Sequence, residues 1–248
     1  MKIYHAILSG NWGGSERYMS NLANLQVSKG HDVTLFVKSS KRKAHLEFYK
    51  NNQGAKIILV PAEIRKKFSI LRRLYMQLFI KITPETIFHC HDHQTISLLY
   101  PIAKKHHIPI ICNLHTSYDP ETNGICDAII YGNAKRAEEL INFRDKAHFI
   151  PNFIRPEAPY SAYKEEQNKI LSHCDINLDN FNICTLSRLS SVKKIDILIH
   201  AFANFQKKYG INDAQLIIAG SGEDDLRLKE IAGRNKNIIF VGQISYPE

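Results

Sequence analysis

The chain has 248 residues, 44% of them apolar, with 33 Lys and Arg against 24 Asp and Glu for a formal charge of +9. That composition argues against a disordered chain and supplies one large or two modest domains with packed cores. No window approaches the roughly 18 consecutive apolar residues of a spanning helix, and the positive excess favours anionic partners such as nucleotides, acidic lipids or nucleic acid.

In chain order, KIYHAIL (residues 2–8) reads as a first strand. It is too short and too soon interrupted for an export signal, so a cytoplasmic protein is expected. The loop SGNWGG follows, then a helix expected to begin with Ser15 as N-cap, Glu16 in its first turn and Gly30 as terminator. DVTLFVK, KIILV, TIFHC, PIICNL, DAIIY and AHFI read as further strands, with helices over about 64–82 and 94–106. Alternating β and α elements imply a parallel, doubly wound α/β sheet, because parallel neighbours need a crossover helix. PNFIRPEAPYSAY carries three prolines and no periodicity, which marks a linker over 151–163. A second series follows, with strands FNICTL, AQLIIAG and NIIFVG and helices near Ile195 to Tyr209 and Asp224 to Arg234. The expected organisation is a first domain over 1–163, ending in the linker, and a smaller one over 164–248. Three strands make a thin sheet, and NIIFVG is expected to present an exposed edge that invites association. The five cysteines are odd in number and scattered, which suits reduced core residues.

Several constellations carry chemistry. Arg188 and Lys193 stand five apart across a strand-to-helix turn, and Gly220, Ser221 and Gly222 follow the next strand. Fixed cations and flexible backbone at strand ends suggest a phosphate site, although isolated basic residues are usually solvated surface. Gly13 and Gly14 precede the first helix, where missing side chains let a ligand approach its positive end; alone they would be an ordinary turn. His115 closes the strand PIICNLH, with Thr116 next, at the edge of the sheet rather than in its interior. His89, His91, Asp92 and His93 form the densest candidate metal cluster, but no second ligand group follows at a familiar spacing, and no Asp-x-Asp pair occurs. No metal is therefore expected. Residues 64–82 put Ile64, Phe68, Leu71, Tyr75, Leu78 and Ile82 on one helical stripe with Arg65, Lys66, Lys67, Arg72 and Arg73 nearby. Two readings stand: packing on the sheet, or a basic amphipathic surface for anionic lipid.

Together these pieces resemble the retaining glycosyltransferases of family four, whose GT-B fold has two facing Rossmann-like domains. GGSERYMSNLANLQVSKGHDVTLFV resembles the family's glycine-glycine-x-glutamate opening. FHCHDHQTISLLYPIAKKHHIPIICNLHT resembles its middle section, IPNFI its Pro-Asn hinge, and SRLSSVKKIDILIHAF its Arg-Leu-x-x-x-Lys-Gly signature. The resemblance implies transfer of a sugar, with retention, from a UDP- or GDP-linked donor to a surface polysaccharide, lipopolysaccharide or lipid-linked acceptor, without metal or other cofactor. Arg188 and Lys193 would hold the diphosphate beside Gly220, Ser221 and Gly222, with Gly242 and Gln243 bordering the base. Gly13, Gly14, Glu16, Thr116 and Asn152 would lie on the acceptor side, and His115 would contact the transferred sugar or the phosphate. Lys194 stands where the family usually has glycine.

Family members continue for about another domain half, including a helix with two glutamates seven residues apart that holds sugar and ribose. The second domain is therefore expected to be incomplete here, and Glu223 does not match that motif. The competing readings are a catalytically silent binding protein of the same ancestry and a GT-B sugar-nucleotide epimerase. Nucleic acid is not an expected partner, since the basic clusters lack interleaved aromatics.

Overall fold

A computed structural model describes residues 1–9, 12–39, 51–52, 54–61, 69–115, 118–153 and 164–244. The chain divides into two compact units, Met1–Arg155 and Pro156–Glu248. The first holds strands β1 (Lys2–Ile7), β2 (Asp32–Lys38), β3 (Lys56–Val60), β4 (Thr86–Cys90), β5 (Ile110–Leu114), β6 (Ala128–Tyr131) and β7 (Ala147–Phe149), with helices α1 (Gly14–Ser28), α2 (Ser69–Gln77), α3 (His93–His106) and α4 (Pro120–Asn123). All neighbouring strands are parallel, in the order β3-β2-β1-β4-β5-β6-β7. The order reverses between β1 and β4, the switch point beside which open α/β sheets bind ligands.

The alternation of β1 explains both layers. Ile3 and Ile7 face one side and pack with Met19 and Ala23 of α1 and with Val33, Leu35 and Val37 of β2. Tyr4, Ala6 and Leu8 face the other and join Phe36, Phe88, Cys90, Ile96 and Leu99. Both faces are covered, so the strands read as apolar runs rather than as alternating ones. Tyr4 lies between Phe36 and Phe88, at ring-centroid distances of 5.9 and 6.0 Å. Its hydroxyl accepts the Lys81 N–H at 2.6 Å, so this buried polar atom is satisfied.

Helix α1 differs from expectation at its start. Its N-cap is Gly13 and Ser15 lies inside the first turn. Glu16, at the third helical position, reaches back to accept the Gly13 N–H at 3.0 Å and also takes the Ser15 and Ser9 hydroxyls. A carboxylate there serves the helix end as a serine one residue into the helix cannot. Gly30 follows the helix with φ +82°, as expected of a terminating glycine. Asp92 caps α3 by accepting the Thr95 N–H at 2.7 Å, and its other oxygen takes the Leu8 N–H at 2.6 Å. This carboxylate fastens the end of β1 to α3 across the switch point. Asp92 thus has a structural role.

The helix expected over 64–82 is described only as Ser69–Gln77. Residues 64–68, with Arg65, Lys66 and Lys67, lie outside the described residues. The proposed stripe does not turn inward as a set: Leu71 and Leu78 are 52% and 80% exposed, as are Ile70 and Leu74 at 60% and 51%. Met76 and Arg72 are buried instead, and the Arg72 Nε has no hydrogen-bond partner among the described residues. Helical periodicity identified the amphipathic segment, and of its stripe Tyr75 packs partly against the core while Leu71, Leu78 and Ile82 are exposed.

The second unit holds α5 (Lys164–His173), β8 (Phe181–Leu186), α6 (Ile195–Tyr209), β9 (Ala214–Ala219), α7 (Asp225–Ala232) and β10 (Ile238–Gly242), with a parallel sheet ordered β10-β9-β8. Ile195, Ile199, Phe202 and Leu228 of its helices pack on Ala214, Leu216, Ile218 and Ile238. Among the described residues β10 forms one edge and β8 the other. All five cysteines are free. Cys184, on edge strand β8, is exposed rather than in the core, whereas Cys90, Cys112 and Cys126 are buried in the central strands and the loop before β6.

The turn leaving β8 ends at Lys194, which has φ +54° and ψ 35°. A residue with a Cβ is strained in this left-handed region by about 1–2 kcal/mol, and glycine is not. Lys194→Gly is expected to raise the stability of the second unit by about 0.5–1 kcal/mol after glycine's backbone entropy is subtracted, whereas Lys194→Ala gives no such gain. Urea unfolding followed by circular dichroism checks this, and an equal gain from both variants would contradict it.

Candidate active site

In the second unit the chosen residues meet at the carboxyl ends of β8, β9 and β10. Arg188 and Lys193 lie on the turn after β8, Lys193 closing a short 3-10 turn over Ser191–Lys193, and both side chains are exposed. The Gly220–Ser221–Gly222 loop is laid against this turn by backbone bonds: Ser187 N–H to Ala219 O at 3.1 Å, Leu189 N–H to Ser221 O at 3.1 Å and Asp224 N–H to Leu189 O at 3.1 Å. The glycines are required for that packing. A Cβ on Gly220 would stand 1.8 Å from the Ser187 carbonyl oxygen, and one on Gly222 would stand 2.0 Å from that of Leu189. Close approach here is protein to protein, in addition to whatever a ligand needs.

Gly242 joins the same edge. Its carbonyl accepts the Gly220 N–H at 2.8 Å, and Ser221 Oγ donates to Gln243 Oε1 at 3.2 Å. Arg188 Nη2 donates to Glu223 Oε2 at 3.0 Å, a contact that sequence reasoning did not find because it joins residues 35 apart on two different loops. Both side chains are more than half exposed, so the pair adds little stability. Its own backbone N–H, and next the Arg188 guanidinium, hold the Glu223 carboxyl below the usual glutamate range.

In the first unit Gly13 and Gly14 are exposed at the start of α1, while Glu16 is buried as their cap. A Cβ on Gly14 would meet nothing within 4 Å, so neither packing nor backbone angle requires that glycine. Asn152, after β7, lies over Gly132, where an added Cβ would come within 2.6 Å of Asn152 Oδ1. Thr116 lies outside the described residues. His115, directly after β5, is half-buried and its ring touches the edge of Tyr18 at 5.1 Å between centroids.

His115 is the outermost of four imidazoles beneath α1. The strand register places His5 of β1 opposite His89 of β4 on the face that carries Ile3 and Ile7. His91 and His115 continue that face beyond the ends of β4 and β5. His5 Nε2 contacts Gln26 Oε1 at 2.6 Å, His5 Nδ1 contacts His91 Nε2 at 3.0 Å, and His91 Nδ1 contacts His115 Nε2 at 2.9 Å. His89 Nε2 contacts Asn113 Oδ1 at 2.8 Å. His5 was absent from the sequence-based candidates. The available signal was a single polar residue in the otherwise apolar strand KIYHAIL, on the same face as the two strand-end histidines.

His5, His89 and His91 offer one nitrogen each within 4.8 Å of one another. Two of those nitrogens, on His5 and His91, are within hydrogen-bond distance, and no carboxylate joins the group. The nitrogens His5 Nδ1 and His91 Nε2 are paired with each other, and His89 Nε2 is paired with Asn113. A shallow cavity of about 560 Å³ lined by Met1, Lys2, Gly30, Asp32, Thr83, Pro84 and Glu85 lies at the amino-terminal edge of the sheet, away from every candidate residue.

Residues 12–158 match the family model described as Glycosyltransferase Family 4, and residues 166–248 match that described as Glycosyl transferases group 1. The chain belongs to glycosyltransferase family 4. A curated relative, the alpha-monoglucosyldiacylglycerol synthase of Acholeplasma laidlawii, is 24% identical over 221 residues, which cover 76% of this chain and 55% of the relative. The family 4 chain thus spans about half the length of that protein. Anabaena HepE, solved with UDP-glucose, superposes with a TM-score of 0.70 at 16% identity over 99% of this chain and 70% of its own. The lipopolysaccharide outer core galactosyltransferase WaaB, solved in its apo form, gives 0.61 at 19% identity over 99% and 69%. These likenesses establish the GT-B fold, two Rossmann-like units each built on a parallel sheet.

Burial dominates the electrostatics of the histidine row. It lowers the pKa of His5 to about 3 despite the Gln26 bond, with the nearby His89 a second cause. It lowers His89 to about 4 and His115 to about 4, and pushes His91 well down. All four are neutral near pH 7. The unfolded chain, whose histidines titrate near the ordinary value of about 6.5, takes up protons first as pH falls. Histidine-linked stability is therefore fully present above about pH 6.5 and is lost on acidification until the folded-state pKa values are reached. Between about pH 7 and pH 5 the first unit is expected to lose about 2 kcal/mol for each of the fully buried His5 and His89. Urea midpoints at the two pH values measure it, and a stability flat across that window would refute the neutral burial of the row.

Proposed function

We propose that this chain carries the donor-diphosphate turn and acceptor-side edge of a retaining glycosyltransferase that moves a sugar from a UDP- or GDP-linked donor to a glycan or glycolipid acceptor. The observation that carries this is the placement of Arg188 and Lys193 on one turn, backbone-bonded to the Gly220–Ser221–Gly222 loop at the carboxyl edge of the second sheet. Family membership and the sugar-nucleotide ligand of HepE support the same reading. Cleavage of the donor leaves negative charge on the departing phosphate. Cations fixed in advance at that point stabilise the transition state more than the ground state. Arg188 offers a planar fork and Lys193 a compact charge, so no other cation is assigned to the phosphates. Glu223 pairs with Arg188, and a diphosphate would compete with it for the guanidinium. The acceptor side is assigned to Gly13, Gly14, Glu16, Thr116 and Asn152, and the sugar contact to His115. Gly242 and Gln243 border the base.

Arg188→Ala and Lys193→Ala are each expected to weaken UDP binding by at least about tenfold, and the double variant to abolish it in calorimetry. Unchanged affinity in the double variant would remove the site from this turn.

A lipid-linked acceptor also suits the first unit, and we place the chain at the cytoplasmic membrane surface as a peripheral protein. No described helix is long and apolar enough to cross a membrane. What supports surface binding is the outward apolar set of Ile70, Leu71 and Leu74 on α2 and Leu78 just after it, next in sequence to the basic Arg65, Lys66 and Lys67. Shallow insertion of such a face adds to attraction by anionic headgroups. Replacing Leu71, Leu74 and Leu78 by Ser is expected to abolish flotation with vesicles rich in phosphatidylglycerol; flotation equal to that of the unaltered chain would rule the surface out.

A further inference from the structure

The histidine row has a direction. A neutral imidazole carries one N–H and one lone pair, so each ring in a chain of imidazoles donates on one side and accepts on the other. The amide oxygen of Gln26 can only accept, which puts the His5 proton on Nε2 at 2.6 Å. His5 Nδ1 is then a lone pair and receives the His91 Nε2–H at 3.0 Å. His91 Nδ1 receives the His115 Nε2–H at 2.9 Å. The geometry suits these bonds. The ring centroids of His5 and His91, and of His91 and His115, are 5.2 Å apart with interplanar angles of 29° and 14°. Rings joined by a nearly in-plane N–H···N bond of about 3 Å have centroids roughly 5 Å apart. His89 stands outside this ribbon. It stacks on His91 at 4.6 Å and donates its own Nε2–H to Asn113.

We propose that Gln26, His5 and His91 form a buried relay that holds His115 as its Nε2–H tautomer and leaves its Nδ1 as a bare acceptor at the carboxyl edge of the first sheet. Gln26, His5 and His91 are positioning residues, each acting on the next ring. The Nδ1 of His115 has no partner among the described residues. A lone pair there repels a phosphate oxygen and receives a hydroxyl. Resting on the transferase reading above, His115 therefore takes a hydroxyl of the transferred sugar and not the diphosphate, which narrows the two contacts its position allows. A proton-donating His115 would require the whole row to reverse, with the Gln26 amide turned over to present its NH2 to a bare His5 Nε2.

Two-bond 15N–1H spectra of the labelled full chain near neutral pH distinguish protonated from bare ring nitrogens without substrate or turnover. In the unaltered chain His5, His91 and His115 are expected to show single states with the proton on Nε2. In Gln26→Leu the acceptor that anchors the row is gone, and a second, Nδ1-protonated set of signals should appear for all three rings, including His115 two rings away. His89, anchored on Asn113, should not change. Gln26→Glu, which keeps an acceptor, should restore the single state. Transmission across two intervening rings is something a merely space-filling glutamine would not produce. A proton on Nδ1 of any of the three rings in the unaltered chain, which needs no variant to fold, would overturn the relay. So would a His115 spectrum indifferent to Gln26→Leu. Failure of nucleotide binding at Arg188 and Lys193 would overturn the transferase reading while leaving these spectra unaffected, so the two ideas fail separately.

Discussion

The first unit depends on keeping a row of imidazoles neutral on a sheet face whose other strand residues, Asn113 apart, are apolar. A strand interior accepts a polar side chain only if its hydrogen bonds are made internally, because an unmet donor or acceptor there costs about 1–3 kcal/mol and a buried charge far more. His5 meets that demand through Gln26 on one side and His91 on the other; His89 meets it through Asn113. The requirement reaches outward to several elements. It fixes the register of β1 against β4, where a slip of one residue would turn His5 into the opposite layer beside Phe36 and Phe88. It also fixes the rotation of α1, which must aim Gln26 at the sheet while Met19 and Ala23 remain packed on Ile3 and Ile7. Asp92, at the end of the same stretch, binds the β1 end to α3 through Leu8. The edge that presents His115 is thus held from two helices and three strands.

The second unit solves its own positioning problem with backbone rather than with side chains. Two cations on a surface turn are ordinarily mobile, and a mobile cation contributes little to a charged transition state. Here the turn is hydrogen-bonded to the next loop over Ser187, Leu189 and Ser221, and the contact is so close that Gly220 and Gly222 admit no side chain. Only the tips of Arg188 and Lys193 remain free to rearrange. Glu223 then serves as a local counter-ion to Arg188 across the two loops. The arrangement places strain at Lys194, the one residue of this turn in the left-handed region.

The strands and their parallel order were legible because both arise from local pattern: short β-branched runs, each followed by an amphipathic helix. The basic turn and the glycine loop were legible as residue types at strand ends. What those glycines pack against was not, since Ser187 and Leu189 are some 30 positions earlier in the chain. Arg188 meeting Glu223 and His5 meeting His91 are likewise products of topology. A single histidine within KIYHAIL gives no sign that β4 will bring His89 and His91 to the same face. Which face of α2 meets the core was left open by the sequence for a related reason. Its apolar residues exceed what one stripe holds, so periodicity alone could not tell which of them would meet the core.

The same histidines argue for hydrogen bonding over metal binding on geometric grounds. A tetrahedral ion needs lone pairs that converge on one point about 2.0–2.1 Å from each nitrogen. Lone pairs lie in the ring planes, and the planes of His5, His91 and His115 are nearly aligned along a ribbon in which each nitrogen already points at the next ring. His89 is displaced to the face of His91, with planes 18° apart, and its Nε2 is taken by Asn113. Any other use of these nitrogens would require breaking the His5–His91 bond. A hydrogen-bonded row requires no such change. It turns His5 and His91, two residues that carry no chemistry of their own, into the means by which a helix residue, Gln26, sets which nitrogen His115 offers at the edge of the sheet.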